Sequence, residues 1–520
     1  MKRINIIKSI LFASTLVLGV SCTNLDEQIS DGVPTGGSSA VNTAALLTTA
    51  YNGLRNFQDQ GMMFTMDEMS GDGLVGPTRG GDWDDNAKWR QFQAQSWTSD
   101  NAEILNAWNN LLSGVYNCNV IIENSTVASE ITQARFLRAF YYFNVVDLFG
   151  QAPYREPGTP LTDDPKVWSR PEAIAYVISE LEAILPSLPA RIAGDASIVN
   201  ADAGHFLLAK IYLNLGVYMN ATPAGPYVFQ AADMNKVIAH VEAINSSLAV
   251  SYWENFAPTN NVSPEILFSS KNSTGGDGGP IQSRWRMGMH YNQTPDGWNG
   301  FTTMAEYYDR FNAADERRQH STPSIISNFG NPIGFQYGQM YAPDKYDKDT
   351  GALISAGGTV PLKDRTGAPL FFTKKISLIV TGPTIETAGI RAQKYEPDIA
   401  DLGKPGNDYV LMRYSDALLM EAEAILRGGA ASTNGSPQAI MDKIALRTGV
   451  PAPTASLENV YAERGRELWW EGWRRNDMIR FEKFLLPREL KTKVSDPKYL
   501  LYSIPSDALF NPNIKQNPGY

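Results

Sequence analysis

Apolar residues recur at intervals of three and four over two regions, roughly 40–250 and 405–485, and this spacing predicts helices packed on neighbours. Asp100 and Glu103 form a capping-box pair ahead of "ILNAWNNLLSGVYNCNVIIEN". "ITQARFLRAFYYFNVVDLFG" stops at Gly150 with Pro153 just beyond, and Ser169 with Glu172 opens "SRPEAIAYVISELEAILPSLP". "DAGHFLLAKIYLNLG", "ADMNKVIAHVEAIN", "NDYVLMRYSDALLMEAEAILRGG", "SPQAIMDKIALRTG" and "SLENVYAERGRELWWEGWRRNDMIRFEKF" continue the helical pattern. Several form helix–short loop–helix pairs with Ala and Leu, Tyr or Phe at crossing positions, the grammar of tetratricopeptide-type repeats without a strict period. The expected fold is mainly α, a helical repeat scaffold.

Residues 251–404 break the pattern. They are rich in Gly, Asn, Pro, Ser and Thr, with short β-like pieces such as "EILFSS" and "PLFFTKKISLIV". So long an irregular stretch inside a compact chain is functional or disordered, and its many aromatics argue against disorder. The organisation read from the chain is a signal segment 1–21, a tether 22–39, a helical part 40–250 containing a glycine-rich loop at 70–91, an irregular loop-rich part 251–404, and a helical part with its tail at 405–520.

Tryptophan is concentrated enough to mark a site. On one continuous helix Trp469, Trp470 and Trp473 fall within an arc of about 100°, while Leu457, Tyr461, Leu468 and Ile479 line a second face. A helix apolar on two faces packs on both sides, so these three tryptophans are expected to be core. The stretch "SGDGLVGPTRGGDWDDNAKWRQ" (70–91) obeys no period. Its "GDGLVG" matches the dinucleotide-binding spelling, but Pro77, Gly80 and Gly81 follow where a helix would have to open. What remains is a mobile loop carrying Asp72, Arg79, Asp82, Trp83, Asp84 and Asp85. An indole can cover the CH-rich face of a sugar while carboxylates and a guanidinium meet its hydroxyls. Trp285, Tyr291 and Trp298 repeat that pattern in the second irregular stretch, and Trp298 is a candidate contact on this chemistry.

The N-terminus adds a compartment. Lys2, Arg3 and Lys8 precede an apolar run too short for a membrane span, and small residues lead to Cys22, where a bacterial lipoprotein would carry its lipid. Cys118 is the other cysteine and sits at helical spacing as a small core residue, so the fold is expected to stand without disulfides. The formal charge of −10 argues against nucleic acid as a partner.

The chain also resembles the SusD/RagB-like outer-membrane lipoproteins, which bind nutrients, mostly glycans. The carriers are Cys22 with Asp26 and Glu27 soon after, "ARFLRAFYYFNVVDLFGQAPY", "YVLMRYSDALLMEAEAI", "ERGRELWWEGWRRNDMIRF" and "IPSDALFNPNIKQNPGY", in order over nearly the whole length. The resemblance implies a helical scaffold overlaid by an irregular subdomain, surface exposure at the outer membrane, and a SusC-like TonB-dependent transporter as partner. By the same likeness Asp72 and Trp83 are implied as ligand contacts, with Arg391 in "GIRAQKYEPD" as a further one; Arg79 joins them as a loop cation.

The expected activity is capture of a polysaccharide or oligosaccharide and its delivery to that transporter, with no catalytic residue, no cofactor and no metal. The glycan itself is open, with a lean to a fructan or a β-glucan. A glycoside hydrolase is one rival; 55 acidic residues discriminate nothing, and His205, His240, His290 and His320 show no metal spacing. A protein-binding helical scaffold is the other. "DKYDKDTG" (344–351) echoes a calcium loop but is expected to be an exposed turn.

Overall fold

Two long helices, α2 (Ala102–Asn124) and α3 (Ala128–Phe149), form the spine of the computed structural model, which describes residues 41–160 and 162–520. They approach closely because Gly114 faces the ring of Tyr141, where any added Cβ would stand 2.5 Å from a ring carbon. Almost every residue of α3 from Phe136 to Phe149 is buried, since it is covered on several sides. Gly150 closes it in the left-handed conformation (φ 70°), donating to the Val146 carbonyl.

Helices then stack in sequence. α3 packs on α4 (Arg170–Ile184), α5 (Ala201–Leu213) on α6 (Ala231–Glu242), α6 on α7 (Tyr414–Leu426), and α7 on α8 (Pro437–Ala445) and α9 (Leu457–Glu467). α1 (Thr43–Gly53) lies across α2 and α3. The fold is therefore mainly helical, and Thr43–Tyr520 form one compact unit. Among the described residues each sheet has only two or three strands. Ser169 and Glu172 make the expected capping box, and Cys118 is fully buried.

Three helix readings change. The cap of α2 is Asn101, whose side chain accepts from the Glu103 N–H; the Glu103 carboxylate is taken by Lys88 (2.8 Å) and the Met62 N–H (2.8 Å). Tyr409–Arg413 is a strand, antiparallel to Ile266–Ser270, and α7 begins only at Tyr414. The span from Leu457 to Arg480 is two helices. α9 ends at Glu467, and α10 (Arg474–Arg480) starts after a turn in which Trp470 (φ 58°) and Gly472 (φ 81°) are left-handed.

That turn explains how the tryptophans pack. Trp469 and Trp470 are fully buried, but Trp473 is only half-buried, its ring over the Lys210 Nζ (4.1 Å). Around them runs a buried ionic network. Glu467 accepts from Arg317 (3.0 Å), Arg413 (2.6 Å) and Arg447, and Arg413 also reaches Glu265 and Glu471. Asp477 joins Arg464 (2.9 Å) and Arg480 (2.6 Å). Fully desolvated pairs hold only because each charge is matched and hydrogen-bonded.

The irregular part is ordered by short pairings. Thr78–Arg79 runs parallel to Ile379–Val380, Val75 bridges Thr302, and Arg391–Gln393 pairs with Ile333–Gln336. The glycine-rich stretch is consequently packed rather than loose: residues 71–79 are buried and the exposed tip begins at Gly80. "DKYDKDTG" lies in a hairpin, where Asp347 Oδ1 accepts from the N–H groups of Asp349 and Thr350. Among the described residues no helix is long and apolar enough to cross a membrane. Cys22, Asp26 and Glu27, with the whole signal segment and tether, lie outside the described residues.

Candidate functional site

Two tryptophans from distant parts of the chain meet at the surface. Trp83, on the tip that follows Gly80, is half-buried, and its indole N–H donates to the Trp298 backbone carbonyl (3.1 Å). Its ring lies against Phe301 (5.0 Å between centroids) and is seated over Gly300, where a Cβ would stand 2.5 Å from indole carbons. Trp298, also half-buried, follows in the loop 290–299. The tip is held in an unusual conformation: Trp83, Asp85, Asn86 and Ala87 have φ between 40° and 64°, as does Asn299 beside Trp298 (φ 52°). Left-handed backbone at non-glycine residues is costly and persists only where packing enforces it.

The surroundings are charged and partly exposed. Asp82, Asp84 and Asp85 are exposed on the tip, with Asp84 paired to Arg90. Across from them Arg365, about half exposed, lies over the ring of Tyr291 (4.2 Å) and is held by Glu386. Glu386 also accepts from the Arg365 N–H (2.9 Å) and faces the buried His290 Nε2 (2.8 Å), whose Nδ1 accepts from the Asn292 N–H (3.0 Å). That pattern places the imidazole proton on Nε2. Burial lowers the pKa of His290 despite the carboxylate, so it is neutral at pH 7. Asp296, on the same loop as Trp298, faces Arg286 (3.5 Å) at the end of the short helix Ser283–Arg286.

The remaining candidates from the sequence are not at this surface. Arg79 and Arg391 are fully buried behind it. Arg79 donates to the carbonyls of Gly300 (3.0 Å), Ile385 (2.8 Å) and Ala388 (3.0 Å), and Arg391 to Ala388 (2.8 Å), Glu386 (2.8 Å) and the Asn299 side chain (2.6 Å). They clamp the segments 299–300 and 385–388 together, so they position the tryptophans and cannot reach a surface ligand. Asp72 is 5% exposed and faces away toward the C-terminal helices, with both carboxylate oxygens on Arg474 (2.7 and 2.9 Å) and a third bond from Arg310 (2.7 Å). Burial alone would push its pKa up, but the two guanidiniums outweigh it and hold the carboxyl well below the usual range.

Sequence reasoning missed Arg365, Tyr291 as its partner, and Gly300. Gly300 had a signal, a glycine two residues after a tryptophan in an aperiodic stretch; Arg365 had none. The "RELWWEGW" turn contributes from beneath, because Trp470 Nε1 donates to the Gly73 carbonyl (2.9 Å) and the Gly472 N–H to Glu68 (2.7 Å). Trp285, grouped with Trp298 by pattern, is fully buried core.

Comparisons with known proteins agree with this architecture. Residues 385–499 match the model described as SusD family, and residues 25–213 the one described as starch-binding associating with outer membrane. The starch-binding protein SusD of Bacteroides thetaiotaomicron is 25% identical over 478 residues, covering 84% of this chain and 82% of that protein. A SusD superfamily protein from Parabacteroides distasonis superposes with a TM-score of 0.69 at 19% identity, over 92% of this chain and 98% of the other. Surface glycan-binding protein A from Bacteroides thetaiotaomicron, solved with laminarihexaose, gives 0.63 at 18% identity, over 91% and 98%. With matching models over residues 25–213 and 385–499, a relative aligned over more than four-fifths of both chains and the same helical scaffold over 92% of this one, the chain belongs to the SusD/RagB family.

Proposed function

We propose that this protein is a surface glycan-binding lipoprotein that captures a polysaccharide or oligosaccharide at the outer membrane and passes it, uncleaved, to a SusC-like TonB-dependent transporter. The observation that carries the reading is the Trp83–Trp298 pair, two half-buried tryptophans joined by the bond from the Trp83 indole to the Trp298 carbonyl, with exposed Asp82 and Asp85 on the Trp83 tip and Arg365 near Asp82. Indole faces take the CH side of a sugar, and ionised groups bond its hydroxyls more strongly than neutral ones do. Trp83 and Trp298 are the proposed contacts; Arg79 and Arg391 support their setting, and Asp72 is bound to Arg474 and Arg310 instead. The relatives named for starch and for laminarihexaose support the ligand class. Attachment through lipid on Cys22 belongs to the same proposal, supported by the signal segment ahead of it.

The test is a titration of lipid-free protein against a panel of α-glucans, β-glucans and fructans, with chromatography of each mixture for products. Saturable binding of a glycan without turnover supports the reading. Release of shorter oligosaccharides would favour a hydrolase, and no binding across the panel would remove the glycan assignment. Mass spectrometry of the native protein should show an acylated residue 22 as its N-terminus.

A further inference from the structure

A small cavity of about 30 Å³ lies between α3 and the turn ahead of α10, with Asp67, Phe140, Phe143, Asn144, Asp147 and Trp473 in its lining. That is room for about two water-sized spheres. Asp67 stands on a π-turn (Thr65–Met69), a one-residue widening of the helix that is frequent at functional sites. The residue is 9% exposed, and no hydrogen bond or ion pair joins its carboxylate to any described residue. Unlike the enclosed Oε2 of Glu68, its oxygens keep accessible surface, and the cavity is what they face. Every other buried carboxylate among the described residues accepts at least one hydrogen bond, including those far from any cation. Asp408 accepts from Ser269 (2.9 Å) and the Asn272 N–H (2.9 Å), and Glu421 from Ser432 (2.5 Å) and Asn434 (2.9 Å). Asp67 is the exception.

The charged groups around it are committed elsewhere. Asp147 takes Arg475 (2.9 Å), Asn476 (2.8 Å) and the Tyr218 hydroxyl (2.8 Å), and Glu471 takes Arg413 (2.6 Å) and Lys394 (2.9 Å). Glu68, next in the chain, accepts only the Gly472 N–H (2.7 Å). Asn144 donates its side-chain N–H to the Phe140 carbonyl (2.8 Å), which leaves its side-chain oxygen as a second acceptor at the cavity. Burial first, then the like charge of Asp147, push the Asp67 pKa well above the usual carboxylate range against the pull of Arg475. A desolvated carboxylate with no partner is costly, and a bound counter-ion offsets that cost. Among the described residues no three His, Cys, Asp or Glu side chains converge as a multivalent metal requires. We propose that this cavity binds one singly charged cation of sodium or potassium size, with the Asp67 carboxylate and the Asn144 side-chain oxygen as its ligands. The rings of Phe140, Phe143 and Trp473 supply walls whose π faces favour a cation.

The experiment is a set of melting curves of the lipid-free protein at pH 8, with sodium or potassium chloride replacing choline chloride at constant ionic strength. Choline is too large for the cavity. The melting temperature should rise saturably with sodium or potassium, because an ion that binds only the folded chain stabilises it by mass action. Asp67→Asn, neutral and of the same shape, should abolish the rise. Asn144→Ala should weaken the ion's apparent affinity about tenfold, the loss of one contact to a charged group, and it keeps the test decisive if Asp67→Asn fails to fold. A rise with one salt alone would support the site and identify its ion. Equal melting temperatures in all three salts would overturn the proposal and make Asp67 a neutral acid in a hydrated cavity. An undiminished rise in either variant would overturn it as well.

Discussion

The indole N–H of Trp83 donates to the backbone carbonyl of Trp298 across 215 positions of sequence, so the two tryptophans form one unit. If they form the sugar platform, Trp83→Ala should weaken glycan binding by on the order of 2 kcal/mol, roughly thirty-fold. Its stability cost should stay below the roughly 3–5 kcal/mol of a fully buried tryptophan. A melting curve and a binding isotherm on one preparation check both; unchanged affinity would remove Trp83 from the site.

Gly300→Ala offers a cleaner probe of geometry. The added methyl would stand 2.5 Å from the Trp83 ring and must lift it. Binding should fall toward that of Trp83→Ala although both indoles remain, and tryptophan fluorescence should report the displaced ring. Wild-type affinity in this variant would show that the seat of Trp83 does not matter.

Arg391 tests support as opposed to contact. Arg391→Met removes the bonds to Asn299, Glu386 and Ala388, leaving acceptors whose loss costs about 1–3 kcal/mol each when they stay buried. Lower stability together with weaker binding is expected. A variant with wild-type stability that had lost all binding would instead point to direct contact with the ligand.

The C-terminal core should separate sharply from the site. Glu467→Gln removes one buried charge shared by three arginines, each of which keeps another carboxylate. Its cost should approach but not exceed the roughly 3–5 kcal/mol of breaking a buried pair outright. Trp469→Ala, fully buried, should be costlier than Trp473→Ala, half-buried over Lys210. Chemical denaturation orders the three variants.

Acid should act through the His205–His240 pair, whose Nδ1 atoms are 3.0 Å apart. Burial, then His205 and Lys236, lowers the pKa of His240 to about 4, from 6.5. A base with a depressed folded-state pKa binds more protons when unfolded, so its neutral form is compatible with the fold above pH 6.5. Stability should decline as pH falls from about 6.5 toward 4, and His240→Gln should flatten that decline in melting curves taken across the range.

The sequence by itself determined the helical scaffold, because a 3.6-residue repeat and local caps are written in neighbouring positions. Gly150 as a stop and Ser169 with Glu172 as a start needed nothing beyond their own turns. It also marked Trp83 and Trp298 by their place in aperiodic stretches, and Cys22 by the segment before it. Only the tertiary structure could decide what depends on distant partners. Tyr409–Arg413 is a strand because Ile266–Ser270 lies alongside it, and the "WWEGW" segment is a turn because two tryptophans must point into different parts of one core. Arg79 and Arg391 carry the same guanidinium on paper as Arg365. Burial behind the loops makes the first two supports, while exposure beside Tyr291 leaves Arg365 able to meet a ligand, and solvent exposure is a property of the folded surface rather than of any local stretch of chain.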